Sequence, residues 1–181
     1  PFKRAFKKIR DQIKFLIKSG FKISLADLGG GAGIRYNEKN RLIDLNEYSR
    51  LIEGLFSDLG IDIIIEPGRS LVGSSGIILS RVIRVKRGKK KNFLIIDAGM
   101  NNLIRPALYG AFHNILPVNL TDNKTYKYYD IVGPICETGD IFGKNIRTQQ
   151  FKKDDLIVIC STGAYSSCMA SEYNLRGKVN E

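Results

Sequence analysis

Five segments of the chain combine residue types at spacings that could do chemistry. Gly29, Gly30, Gly31 and Gly33 follow directly on a predicted strand. Without Cβ atoms, such a backbone can turn sharply and point several N–H groups at one anion, and a phosphate would suit that cradle. The spacing matches neither the dinucleotide fingerprint nor the P-loop, so a plain tight turn is the competing reading. Glu66-Pro67-Gly68-Arg69 ends the next predicted strand, as a ligand-facing pair or as a salt bridge at a turn. Asp97-Ala98-Gly99-Met100 leads into Arg105-Pro106-Ala107-Leu108-Tyr109, where an arginine could grip a carboxylate bidentately and a tyrosine four residues on could add a hydrogen bond. Gly133-Pro134-Ile135-Cys136-Glu137-Thr138-Gly139-Asp140 sets a thiol beside a carboxylate in a loop whose composition presents side chains. Cys136 is then a candidate proton donor, or simply a small buried residue. Gly163-Ala164-Tyr165 precedes Met169-Ala170-Ser171 and Tyr173-Asn174, and Tyr165 could stack on a ligand or pack in a core.

The elements that must position these segments follow from periodicity. Phe2, Ala5, Phe6, Ile9, Ile13, Leu16 and Ile17 fall on one helical face, and Gly20 supplies a stop. The chain thus opens inside a helix and reads as a piece of something larger. Phe21 to Leu28 reads as a buried strand. A second helix follows, capped by Asp44, with Leu45, Tyr48, Leu51, Ile52, Leu55, Phe56 and Leu59 as its stripe and Gly60 as its end. Ile61 to Ile65 is short, β-branched and apolar, as a parallel strand covered on both faces should be. Strand, helix and strand with short joins make a β-α-β unit. Such units close a parallel α/β barrel, whose C-terminal strand ends form the active-site face.

After Gly68 the pattern turns to β. Ile77 to Val85 and Phe93 to Ile96 are joined by a basic turn over Arg87 to Lys91, and Phe112 to Val118, Tyr126 to Val132 and Leu156 to Cys160 are further strands. The reading is two domains, 1–70 and 71–181. The first holds the closing β-α units of a (β/α)8 barrel. The second is a mostly-β, barrel-like domain, incomplete at its end.

Composition excludes several classes. Hydrophobic residues at 43% and charged residues at 26% are the balance of a globular chain. No run of about 18 apolar residues suggests a membrane span. The net charge of +11 invites nucleic acid, but the basic residues are scattered and no nucleic-acid signature accompanies them. Three cysteines without C-x-x-C spacing argue against a disulfide framework or a zinc site and for a reducing cytoplasm. The basic N-terminal helix leaves no apolar core for a signal peptide. With one histidine, His113, in a strand-like run and read as structural, there is no Ser-His-Asp set and no histidine metal site.

Together the stretches LADLGGGAGI, IEPGRSLVG, DAGMNNLIRPALYGAFH, GPICETGDIF and GAYSSCMASEYN resemble the fold-type III pyridoxal-phosphate-dependent decarboxylases, in the order and spacing of the diaminopimelate decarboxylase branch. The resemblance covers residues from about 21 to 174. It implies that Gly29, Gly30, Gly31, Glu66, Pro67, Gly68 and Arg69 hold the phosphate of pyridoxal 5'-phosphate, and that Tyr165 contacts cofactor and substrate. It further implies that Arg69, Arg105 and Tyr109 bind the substrate's distal carboxylate and Glu137 its distal ammonium, with Cys136 as proton donor. In the family Cys136 and Glu137 reach into the partner subunit's site, so a homodimer is implied. The cofactor-bearing lysine and the stacking histidine of the family lie in regions outside this sequence, so the chain by itself is expected to release no carbon dioxide. The rivals are an ornithine- or arginine-type decarboxylase, and a non-catalytic paralogue that binds a decarboxylase.

Overall fold

The structure is a computed structural model and describes residues 1–37, 42–120 and 125–180. Contacts divide the chain into two units, Pro1–Ile34 with Arg41–Ser70, and Arg35–Asn40 with Leu71–Glu181.

In the first unit, α1 (Phe2–Lys18) packs on α2 (Leu45–Phe56). Phe6 and Ile13 of α1 are buried, and Phe2 and Ile9 join them at the i, i+3, i+4 spacing of one narrow stripe. Ala5 and Ile17 of α1 are exposed, and so is Leu45 of α2, so the first predicted stripe was two positions too wide and the second one. Phe2 and Phe6 each meet the Tyr48 ring edge to face, with centroids 5.2 and 5.8 Å apart, and tilt against each other at 5.7 Å. Asp44 caps α2 as expected, Oδ1 accepting from the N–H of Asn46 at 2.9 Å and of Glu47 at 3.2 Å. Gly60 ends the helical run in a left-handed conformation (φ 62°). Arg10 of α1 forks onto Asp58 (Nη2–Oδ2 2.6 Å) and holds that carboxyl down at about 2.

β1 (Leu25–Asp27) and β2 (Asp62–Ile64) pair in parallel with α2 as the crossover, so the β-α-β unit is present. The strands are shorter than their apolar runs. Even so, the Asp62 N–H still donates to the Ser24 carbonyl and the Glu66 N–H to that of Gly29, which keeps the two chains in register beyond the strand ends. One face, with Ala26 and Ile63, lies on the helices. Leu25, Ile64 and Ile65 are exposed, so β2 is covered on one face here and not on both.

The second unit is built on a six-stranded sheet. A short α3 (Gly68–Val72) spans the point where the units divide. There follow β3 (Ile78–Arg87), β4 (Asn92–Ile96), α4 (Arg105–Tyr109), β5 (Ile115–Pro117), β6 (Tyr126–Val132), β7 (Ile141–Gln149) and β8 (Leu156–Ile159). The order across the sheet is β5-β8-β3-β4-β6-β7, antiparallel except between β4 and β6. Its two ends, β5 and β7, approach each other, so the sheet nearly closes into a barrel. Val82, Leu94, Ile96, Ile131, Ile157 and Ile159 are almost wholly buried in the core it encloses. The basic turn closes β3 onto β4 as expected, the Gly88 N–H donating to the Lys91 carbonyl at 3.0 Å.

β7 and α4 were not anticipated. β7 carries apolar residues only at 141, 142 and 146, and its pairing with β6 shifts register twice near Ile131. Asn145 turns through a positive φ (54°), and its N–H donates to Asp130 Oδ1 at 2.7 Å. A bulged strand of this kind loses the alternation by which strands are recognised. His113, expected in a strand, lies before β5 in irregular chain.

Candidate active site

At the C-terminal end of β1 each of three successive glycines has its own reason. Gly29 and Gly31 have positive φ (71° and 95°), where a side chain is strained. A Cβ on Gly30 would collide with the Glu66 carbonyl oxygen. The Gly29 N–H already donates to Asp27 Oδ1 (2.8 Å), the Glu66 N–H to the Gly29 carbonyl and the Gly68 N–H to the Glu66 carbonyl. Those amides shape the turn. The N–H groups of Gly30 and Gly31 have no acceptor among the described residues, so two adjacent donors are left for an anion. Glu66 and Arg69 make no ion pair among the described residues, which removes the salt bridge as the reason for that motif.

In the second unit α4 carries Arg105 at its start and Tyr109 at its end, one turn apart and so on one side of the helix. Pro106 suits the first turn, where its missing N–H is not needed, and Gly110 ends the helix at φ 61°. Tyr109 is exposed, whereas Arg105 is only 6% exposed. A buried guanidinium would ordinarily be matched by a carboxylate. Among the described residues Arg105 has none. Its Nη1 donates to Tyr36 Oη at 2.8 Å and lies 3.0 Å from His113 Nε2. Its Cζ sits over the Tyr36 ring (5.0 Å to the centroid) and the Tyr165 ring (5.9 Å). Tyr165 holds a positive φ (60°), uncommon for a bulky residue, in a loop that Ser166 ties to the Asn102 carbonyl (3.1 Å). Burial pushes the His113 imidazole below the ordinary histidine range. The Arg105 charge acts in the same direction, and the Cys160 carbonyl acts against both.

Cys136 and Glu137 are both exposed on the loop between β6 and β7. Glu137 Oε1 accepts from the Gly139 N–H (3.2 Å) and the Thr138 hydroxyl (3.0 Å), which with Tyr173 hold its carboxyl below the usual range. Asp140 anchors the loop. Its Oδ2 accepts from the Ile135 N–H and its Oδ1 from the Met100 N–H, each at 2.7 Å, so one buried carboxylate ties the Cys136 loop to the segment leading into α4. Burial pushes the Asp140 carboxyl up, against those two donors. A Cβ on Gly133 would overlap the same carboxylate. Gly133→Ala is therefore expected to destabilise the second unit by about 1–3 kcal/mol through overpacking. An unchanged denaturant midpoint would count against the clamp.

The structure thus brings together Arg105 and Tyr165 in the second unit, and Gly30 and Glu66 in the first. Sequence reasoning missed Tyr36, one of eight tyrosines, with nothing in its local pattern to mark it. It also missed the part His113 plays at Arg105, and Asp140 as the anchor of its loop.

Residues 15–163 match the family described as pyridoxal-dependent decarboxylase, C-terminal sheet domain. The chain belongs to that family of pyridoxal-dependent decarboxylases. It is similar to diaminopimelate decarboxylases from Zymomonas mobilis subsp. mobilis (45% identical over 182 residues) and Neisseria meningitidis serogroup B (45% over 181 residues). Each alignment covers all of this chain and 43% of the relative, so the chain spans less than half the length of the curated relatives it matches. The crystal structure of diaminopimelate decarboxylase from Helicobacter pylori complexed with L-lysine matches with a TM-score of 0.91 at 38% identity, over 99% of this chain and 44% of that one. Among the described residues no helix is long and apolar enough to cross a membrane.

Proposed function

We propose that the protein carrying this chain converts meso-2,6-diaminopimelate to L-lysine and carbon dioxide with pyridoxal 5'-phosphate, in the cytoplasm, as a homodimer. The observation that carries this reading is Arg105, a buried cation with no acidic partner among the described residues. A substrate carboxylate completes it.

The glycine turn fits the cofactor's phosphate. The Gly30 and Gly31 amides donate to it and Arg69 adds charge, while Gly29, Glu66, Pro67 and Gly68 shape the loop. When bound, the cofactor supplies a sink for the electron pair left by the departing carboxylate. Arg105, with Arg69 and Tyr109, binds the carboxylate at the far end of the substrate, and Glu137 binds the ammonium there. Thr138 and Gly139 keep Glu137 ionised for that task. Cys136 donates from Sγ the proton that takes the place of carbon dioxide on the α-carbon. Tyr165 contacts cofactor and substrate from its strained loop. Cys136 and Glu137 stand exposed at a loop tip, which suits residues that serve a partner subunit's site.

A receptor with both signs of charge should reject substrates lacking the distal carboxylate, because its arginines would stay unpaired. The whole protein with pyridoxal 5'-phosphate is expected to release carbon dioxide from meso-2,6-diaminopimelate and far more slowly from L-ornithine, L-arginine or L-lysine. Faster release from L-ornithine or L-arginine would overturn the substrate assignment.

A further inference from the structure

We propose that His113 and Tyr36 are positioning residues that fix Arg105 so that its Nε–Nη2 edge is the one offered to the substrate. The inference rests on the reading of Arg105 as a carboxylate receptor. It goes beyond that reading by naming what selects the edge.

Hydrogen counting carries the argument. A guanidinium only donates, so the 3.0 Å contact from Arg105 Nη1 requires a lone pair on His113 Nε2. The ring proton must then sit on Nδ1, where the Cys160 carbonyl accepts it at 3.0 Å. Nη1 has two hydrogens. One goes to His113 and the other to Tyr36 Oη, which exhausts that nitrogen. Three hydrogens remain, one on Nε and two on Nη2, and with Nη1 spent the paired edge left is the Nε–H with the Nη2–H beside it. They are parallel, they form the side-on fork that matches the two oxygens of a carboxylate, and no described residue accepts from them.

Both positioning groups are neutral. An aspartate at position 113 would orient the guanidinium equally well but would also neutralise it and compete with the substrate. A neutral imidazole orients without discharging. The Tyr36 and His113 rings also meet edge to face at 5.2 Å, so each acceptor braces the other. His113 is 2% exposed, which keeps water from replacing it.

The experiment compares equilibrium binding of L-lysine with that of 1,5-diaminopentane, its analogue without the carboxylate, in the whole protein loaded with pyridoxal 5'-phosphate. The readout is the ratio of the two affinities, which a general loss of fold would not change selectively. His113→Leu is expected to cut the ratio about tenfold, as loss of one bond to a charged group implies. His113→Gln, whose amide oxygen can accept near the Nε2 position, should restore most of it. Tyr36→Phe, which keeps the ring and loses the hydroxyl, should cut the ratio severalfold and carries the test if His113→Leu does not fold. Should Arg105→Gln collapse the ratio while His113→Leu and Tyr36→Phe leave it intact, the positioning role is wrong and the receptor reading stands. If Arg105→Gln itself leaves the ratio unchanged, the receptor reading fails, and the positioning role falls with it.

Discussion

Replacing Arg105 with leucine in the whole protein is expected to raise KM for meso-2,6-diaminopimelate about a hundredfold, equivalent to about 2–3 kcal/mol. The size follows from the environment. Arg105 is buried beside Tyr36, His113 and Tyr165, all neutral neighbours, so a carboxylate arriving there is the group that balances the charge. Without the guanidinium, that carboxylate would be desolvated against two aromatic rings and an imidazole. Arg105→Lys should recover less than a tenth of the loss. An ammonium keeps the charge but cannot donate to Tyr36 and His113 and also present a flat fork. Steady-state kinetics on the two variants decide the matter, and a KM within twofold of wild type for either would remove Arg105 from the site.

The second large effect is expected at Gly30. A methyl there would meet the Glu66 carbonyl, and neither side can easily yield, because the Glu66 N–H is bonded to Gly29 at 3.0 Å and its carbonyl to Gly68 at 2.9 Å. Gly30→Ala should therefore force the β1 and β2 loops apart. It is expected to destabilise by about 1–3 kcal/mol and to weaken pyridoxal 5'-phosphate binding at least tenfold. Gly54→Ala supplies the opposite sign. Gly54 lies inside α2 with open space around it, so alanine there should stabilise by about 0.5–1 kcal/mol. Cofactor titration and thermal unfolding separate the two cases. Equal behaviour of both variants would show that the glycine turn is not sterically set.

How much could be read from the sequence depended on how local each signal was. The cap at Asp44, the stop at Gly60, the β-α-β unit and the basic hairpin are all written within a few residues, and the structure contains them. The glycine run and the Glu66-to-Arg69 loop were visible for the same reason. What the sequence could not display were pairings between distant positions. β7 was hidden because its bulge at Asn145 breaks the alternation, and α4 because five residues are too few to show a helical period. Tyr36 and Arg105 are 69 residues apart, and Asp140 and Met100 are 40 apart. No local pattern encodes either contact. His113 was legible only as a lone histidine. Its tautomer and its task come from a carbonyl 47 residues further on.

That carbonyl belongs to Cys160, the residue just after β8, and the Cys160 N–H returns to the Asn114 carbonyl at 2.8 Å. β8 is the last strand among the described residues, yet it lies inside the sheet, between β5 and β3. On a growing chain the β3–β4 hairpin can form early, because its closure spans few residues, while β3 waits for its other neighbour until some seventy more have been added. Until β8 arrives, His113 has no acceptor for its Nδ1 proton and no fixed ring, and Arg105 loses one of the two partners that hold it. The arrangement around Arg105 is thus complete only once β8 is in place. A newly made chain fixes that guanidinium in the same event that seats β8 between β5 and β3.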